Sequence, residues 1–98
     1  MNTLKEFKNN MAWTMIDLNE QTLENIYNSI DTESYTSLEE IENDFSLDDH
    51  LIFFDTNLHS VIENFSEIFE RGLFRHVDLY YIADEDMYIG VYGYDIYC

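Results

Sequence analysis

VDLYYIADEDMYIGVYG, residues 77–93, decides what kind of fold this chain adopts. Two runs rich in Val, Ile and Tyr flank the tetrapeptide ADED, the pattern of a β-hairpin. Loop length then sets which side chains share a face. A two-residue loop puts Asp78 and Tyr80 beside Met87, Ile89 and Val91. A three-residue loop, Asp84 to Asp86, instead gathers Val77, Leu79, Tyr81, Met87, Ile89 and Val91 on one face. Asp78, Tyr80, Tyr88 and Tyr92 then form the other. The second arrangement separates apolar from polar far better. The sequence therefore predicts the three-residue loop, with one covered face and one tyrosine-rich face.

Upstream, LHSVIENFSEIFERG (residues 58–72) predicts the longest helix in the chain. Leu58, Val61, Ile62, Phe65, Ile68 and Phe69 make one continuous stripe at helical spacing. Asp55, Thr56 and Asn57 supply turn and N-cap chemistry; Arg71 suits the last turn and Gly72 the C′ position. LIFF, residues 51–54, is a brief apolar run that reads as a buried strand. Ser37 with Glu40 is a capping box opening a short helix with Leu38, Ile41 and Phe45 inward. Asp31 to Thr36 reads as a loop. A further helix runs from Asn19 with Leu23, Ile26, Tyr27 and Ile30 on one face, and Thr3 with Glu6 opens another bearing Leu4, Phe7 and Met11. Residues 12–16 fit either an extension of that helix or a strand. The expected architecture is one α+β domain over residues 1–98. Its N-terminal half is helical, followed by a strand, a helix and a β-hairpin forming a small antiparallel sheet.

Charge is the unusual property. Twenty-one Asp and Glu face four Lys and Arg, for a net charge of −17 on 98 residues. A small domain ordinarily carries a net charge of about 2–8 in magnitude. From Asn9 to Glu70 there is no Lys or Arg, against fifteen carboxylates. Yet 46% of residues are hydrophobic, with eight Tyr and seven Phe, so the chain is too apolar for an acidic disordered tail. It folds despite self-repulsion, which destabilises a compact state. Direct nucleic-acid binding and anionic membrane surfaces are disfavoured, because both draw affinity from Lys and Arg. The single cysteine, Cys98, allows no intramolecular disulfide and fits a reducing compartment. MNTLKEFKNNMAW does not read as a signal peptide, and no segment approaches the ~20 apolar residues of a spanning helix. The expected location is the cytoplasm.

The acids are concentrated as well as numerous. SLEEIENDFSLDDH, Ser37 to His50, holds six: Glu39, Glu40, Glu42, Asp44, Asp48 and Asp49. On a single helix over residues 58–72, Glu63, Glu67 and Glu70 fall opposite the apolar stripe. They rise by about 6 Å and then about 4.5 Å along the axis. Glu20 and Glu24 sit at i, i+4 on the helix that runs from Asn19, again without an interleaved cation. Duplex DNA carries one charge per ≈ 1.7 Å, so seventeen charges correspond to roughly 29 Å of duplex. A domain of this length has a radius of gyration near 13 Å. Size and charge are compatible. The ordinary meaning of an acidic run is a solvated face; here it extends over three or four elements.

In charge, size and segments such as SLEEIENDFSLDDH and SVIENFSEIFERG, the chain resembles the phage- and plasmid-encoded acidic DNA mimics. These are the anti-restriction proteins and some anti-CRISPR proteins. They are small acidic α or α+β proteins that occupy the DNA-binding groove of a host defence nuclease. The likeness is one of class and carries over no residue by position. It implies an inhibitor acting on a basic DNA- or RNA-binding protein, without cofactor or metal. The two alternatives are an immunity protein neutralising a basic nuclease toxin and a small acidic adaptor subunit. A homodimer is compatible, since it doubles the length of a charge track.

The candidate partner-binding residues are Glu39, Glu40, Glu42, Asp44, Asp48, Asp49, Glu63, Glu67 and Glu70, with Tyr80, Tyr88 and Tyr92 of the hairpin. Tyr94 and Asp95 extend that tyrosine group. Tyrosine is enriched at interfaces, although it is also a good strand former. Gly90 and Gly93 point to a bulge or a close backbone approach rather than to phosphate binding. His50, His59 and His76 have no metal-ligand spacing, and Asp84-Glu85-Asp86 lacks the EF-hand pattern. Arg71, Arg75 and His76 form the one positive spot after residue 8. Acid–base catalysis needs carboxylates in contrasting environments within a cleft, for which a short chain has little room. An enzyme is not expected.

Overall fold

Three side-chain caps start the first three helices. Thr3 Oγ1 accepts the Glu6 amide at 3.1 Å and opens α1, Leu4–Met11. Asn19 Oδ1 accepts the Thr22 amide at 2.7 Å and opens α2, Glu20–Asn28. Ser37 Oγ accepts the Glu40 amide at 3.2 Å and opens α3, Leu38–Asp44. Each satisfies a first-turn N–H that has no partner within its helix. The computed structural model describes residues 3–73 and 76–93. Arg75, Tyr94, Asp95 and Cys98, which entered the sequence reading, lie outside the described residues. Residues 12–16 are neither helix nor strand but a turn, in which the Thr14 amide and hydroxyl both return to the Met11 carbonyl.

After α3 come β1 (His50–Asp55), α4 (Leu58–Asn64), α5 (Ser66–Glu70), β2 (Val77–Ile82) and β3 (Met87–Gly93). The result is a mixed α+β fold with five helices and a three-stranded antiparallel sheet among the described residues. The strand order is β1-β3-β2.

The expected long helix is broken. Phe65 sits between α4 and α5 with φ −116° and ψ 23°, outside the α-helical region. Its ring is almost fully buried, 5.0 Å from that of Phe53 and 6.2 Å from that of Tyr92. Aromatic packing against the sheet replaces one straight axis with two short ones. The axial spacing derived for Glu63, Glu67 and Glu70 on a single helix therefore does not hold. The predicted end does. Gly72 has φ +72°, with Leu73 N–H bonded to the Ile68 carbonyl and Gly72 N–H to that of Phe69, a Schellman closure.

The hairpin register also differs from expectation. Ile82 pairs with Met87, so the loop has four residues, Ala83 to Asp86, with Asp86 at φ +47°. An even loop restores the parity of the rejected two-residue arrangement. Val77, Leu79 and Tyr81 share a face with Tyr88, Gly90 and Tyr92; Asp78, Tyr80 and Ile82 share the other with Met87, Ile89 and Val91. The predicted face of Asp78, Tyr80, Tyr88 and Tyr92 therefore does not form, because Tyr80 and Asp78 lie on the opposite side from Tyr88 and Tyr92.

The physical reason is that both faces of the sheet are covered. Against one pack Phe7 and Met11 of α1, Leu23 and Ile26 of α2, and Leu58, Val61, Ile62, Phe65 and Phe69. Against the other, Ile41 of α3 packs on Ile82, Ile89 and Val91, with Leu38, Phe45 and Ile52 around them. Separating apolar from polar faces identifies a register only where one face meets water. Here β3 is buried on both sides. Tyr88, with 0% exposure, stacks at 4.8 Å on Tyr81.

Candidate functional site

The sheet divides the predicted acidic residues into two groups. α3 covers one face, whereas α4 and α5 cover the other. Glu39, Glu40, Glu42 and Asp44 of α3, with Asp48 and Asp49 of the turn before β1, are all exposed. Glu63, Glu67 and Glu70 are also exposed, but they belong to the opposite helical layer. One continuous track through all nine is not what the fold presents.

The two groups differ in compensation. Lys5, Lys8 and Arg71, the described Lys and Arg residues, sit on α1 and beside α5. Lys8 bonds Glu24 at 2.8 Å, and that hydrogen bond first of all holds its pKa above the ordinary lysine value. Arg71 bonds Glu67 at 2.7 Å, though both side chains are largely exposed and the pair contributes little stability. On the α3 side no carboxylate meets a lysine or arginine among the described residues.

Two carboxylates on that side are held by neutral donors. Thr36 gives Glu40 both its amide and its hydroxyl, which keeps the Glu40 carboxyl below its ordinary pKa. The Tyr35 hydroxyl donates to Asp44 at 2.9 Å. These bonds fix the carboxylates in direction without neutralising them. Next to them, Tyr35 meets Tyr80 edge-on at 5.0 Å between ring centroids, and Phe45 lies 6.2 Å from Tyr80 and 5.2 Å from His50. Burial first, then Asp78, the Tyr35 hydroxyl, Asp31 and Asp44, push the Tyr80 phenol up to about 12. Asp31, bound first by the Ser34 hydroxyl and then by the amides of Glu33 and Ser34, is held low. The site is a half-buried aromatic cluster edged by carboxylates.

Of the predicted tyrosines, then, Tyr80 belongs to this surface. Tyr88 is buried beneath the other face and presents nothing to a partner. Tyr92 packs there against Phe65. Trp13 and Met15, which no periodicity in the sequence singles out, project from the turn between α1 and α2 at 89% and 101% exposure. Met15 borders a cleft of about 440 Å³ lined also by Lys8, Met11, Ile16, Leu18 and Leu23. A tryptophan in a segment with neither helical nor strand periodicity was the available signal.

Comparison with known protein families, with curated proteins and with solved structures returns no match to this chain. No helix among the described residues is long and apolar enough to cross a membrane. Among those residues no group of three or more His, Cys, Asp or Glu is arranged to hold a metal ion. What the surface can do chemically is present fixed negative charge beside aromatic rings, a combination that suits guanidinium and ammonium groups.

Proposed function

We propose that the protein is a stoichiometric inhibitor that imitates nucleic acid. It occupies the positively charged channel of a basic DNA- or RNA-binding protein, of the restriction or CRISPR effector kind, in the cytoplasm. It acts by occupancy rather than turnover. One observation carries the reading: the six exposed carboxylates of residues 37–50 lie on a side of the molecule with no described lysine or arginine. The scale is compatible, since the six carboxylates correspond to roughly 10 Å of duplex charge, well within the 34 Å extent of the molecule. Long-range attraction would steer the encounter, and Arg–carboxylate and Lys–carboxylate pairs would hold the complex.

The test uses two charge-neutral variants. One carries Glu39→Gln, Glu42→Gln, Asp48→Asn and Asp49→Asn, leaving the hydrogen-bonded Glu40 and Asp44 intact. The other carries Glu63→Gln, Glu67→Gln and Glu70→Gln. Inhibition of DNA binding by a panel of purified restriction and CRISPR effectors should be lost with the first. Undiminished inhibition by that folded variant removes the reading.

Trp13 and Met15 favour a second reading, an immunity-type or adaptor partner gripped by apolar anchors. A purely electrostatic mimic has no use for them. Binding would then survive high salt and fail with Trp13→Ala.

A further inference from the structure

The two edges of the sheet are treated differently. The outer edge of β2 is closed at mid-strand by residue 31. Asp31 N–H bonds the Leu79 carbonyl at 2.8 Å, and Tyr81 N–H bonds the Asp31 carbonyl at 2.9 Å. β1 has no such cover: among the described residues no strand pairs with its outer edge and no backbone hydrogen bond reaches it. Edge strands are normally blunted by lysine, proline, a bulge or shortness. HLIFFD contains no lysine and no proline, and it keeps an unbroken six-residue register with β3. One apolar side chain on each face of the strand is exposed, Leu51 at 38% and Phe54 at 51%, with Leu47 at 65% in the turn before them, while Ile52 and Phe53 pack into the two cores.

We infer that the outer edge of β1 receives an extended segment of the basic partner as a fourth strand of the sheet. The occupant follows from charge. A second copy of this chain would pair β1 with β1 about a two-fold axis normal to the sheet, which requires paired residue numbers to have an even sum. If Ile52 faces itself, Asp49 stands opposite Asp55 at both ends. If Phe53 faces itself, each Asp55 carboxylate stands opposite an apolar Leu51. Like charges directly opposite are destabilising, and each copy carries −17. A partner strand with an apolar centre and Lys or Arg at its ends instead meets Asp48 and Asp49 at one end and Asp55 at the other. Main-chain bonds would supply affinity and the alternate side chains selectivity. This inference rests on the proposed basic partner and adds how that partner is held.

The experiment titrates the isotope-labelled full chain at low salt with three ten-residue peptides. The first has two lysines at each end and an alternating valine–threonine centre; the second has glutamates at the ends. The third is the lysine peptide with alternate backbone amides N-methylated. Strand addition predicts that the lysine peptide binds and shifts the amides of residues 50–55. N-methylation should weaken it by about tenfold or more, and the glutamate peptide should not bind. The variant Leu51→Lys, an edge gatekeeper, should abolish those shifts with the fold retained. Equal binding of the methylated peptide, with shifts confined to α3, overturns strand addition but leaves the acidic-surface reading standing. Failure of every basic peptide to bind overturns both. A concentration-dependent dimer in sedimentation that Leu51→Lys dissolves would make a second copy the occupant and overturn the inference as stated.

Discussion

Gly90 lies beneath the Phe65 ring: a Cβ at position 90 would stand 2.7 Å from Phe65 Cε2 and 2.8 Å from Val61 Cγ1. The close backbone approach expected of this glycine is what lets α4 sit on the central strand. The register stays continuous through it, so it is not a bulge. Gly90→Ala should destabilise the fold by about 1–3 kcal/mol, the usual cost of overpacking a filled core. In a domain of this size each kcal/mol corresponds to a fall in Tm of roughly 4–8 °C. Gly93→Ala is the control. A Cβ there meets only the His50 ring at 3.5 Å, so the change should be small in the same thermal melts.

Ile41 is the fully buried residue of α3, seated on Ile82, Ile89 and Val91. Ile41→Ala should cost about 2–5 kcal/mol by urea unfolding. A near-neutral result would mean that α3 does not cover the sheet.

Tyrosine ionisation gives a pH test. The Tyr81 phenol, which donates to Asp86 at 2.8 Å, is pushed up to about 12, first by that bond and then by burial. Burial first does the same for Tyr80. An unfolded tyrosine loses its proton near 10, so above that pH the folded state binds more protons than the unfolded one. The stabilisation is complete below about pH 10 and declines as pH rises toward 12. Absorbance titration at 295 nm should show late-ionising tyrosines in the wild type and fewer in Tyr81→Phe, with alkaline unfolding in the same window.

Salt should stabilise this protein. The Debye length falls from about 30 Å at 0.01 M to about 3 Å at 1 M ionic strength. At low salt the repulsion therefore spans the whole 34 Å molecule. Tm should rise with sodium chloride across this range, and the α3-side neutral variant should show a shallower rise. A Tm independent of salt would mean that the acids cost the fold nothing.

The sequence was most legible where the physics is local. The caps at Thr3, Asn19 and Ser37 and the Gly72 closure each depend on a few adjacent residues. It was least legible where the answer depends on what lies across the core. Phe65 fits a helical stripe as well as Phe69 does, and only the approach of Phe53, Tyr92 and Gly90 explains why the helix breaks there. The hairpin register failed for the same reason. Polarity alternation presumes a wet face, and nothing local in YYIADEDMYI tells that α3 will cover it. Tyr80 was found by composition, whereas Tyr35, Phe45 and His50 beside it come from distant parts of the chain. The exposure of the carboxylates followed from their number and their opposition to apolar stripes. Their division between two sheet faces did not.

The central claim, that the acidic α3 side imitates nucleic acid, is tested most directly by displacement. Immobilised protein is charged at low salt with a purified basic nuclease or effector that it inhibits, and eluted first with duplex DNA and then with salt. If the α3 side imitates nucleic acid, DNA releases the captured protein, and the variant carrying Glu39→Gln, Glu42→Gln, Asp48→Asn and Asp49→Asn captures none. Retention through saturating DNA, with equal capture by the neutral variant, would contradict it.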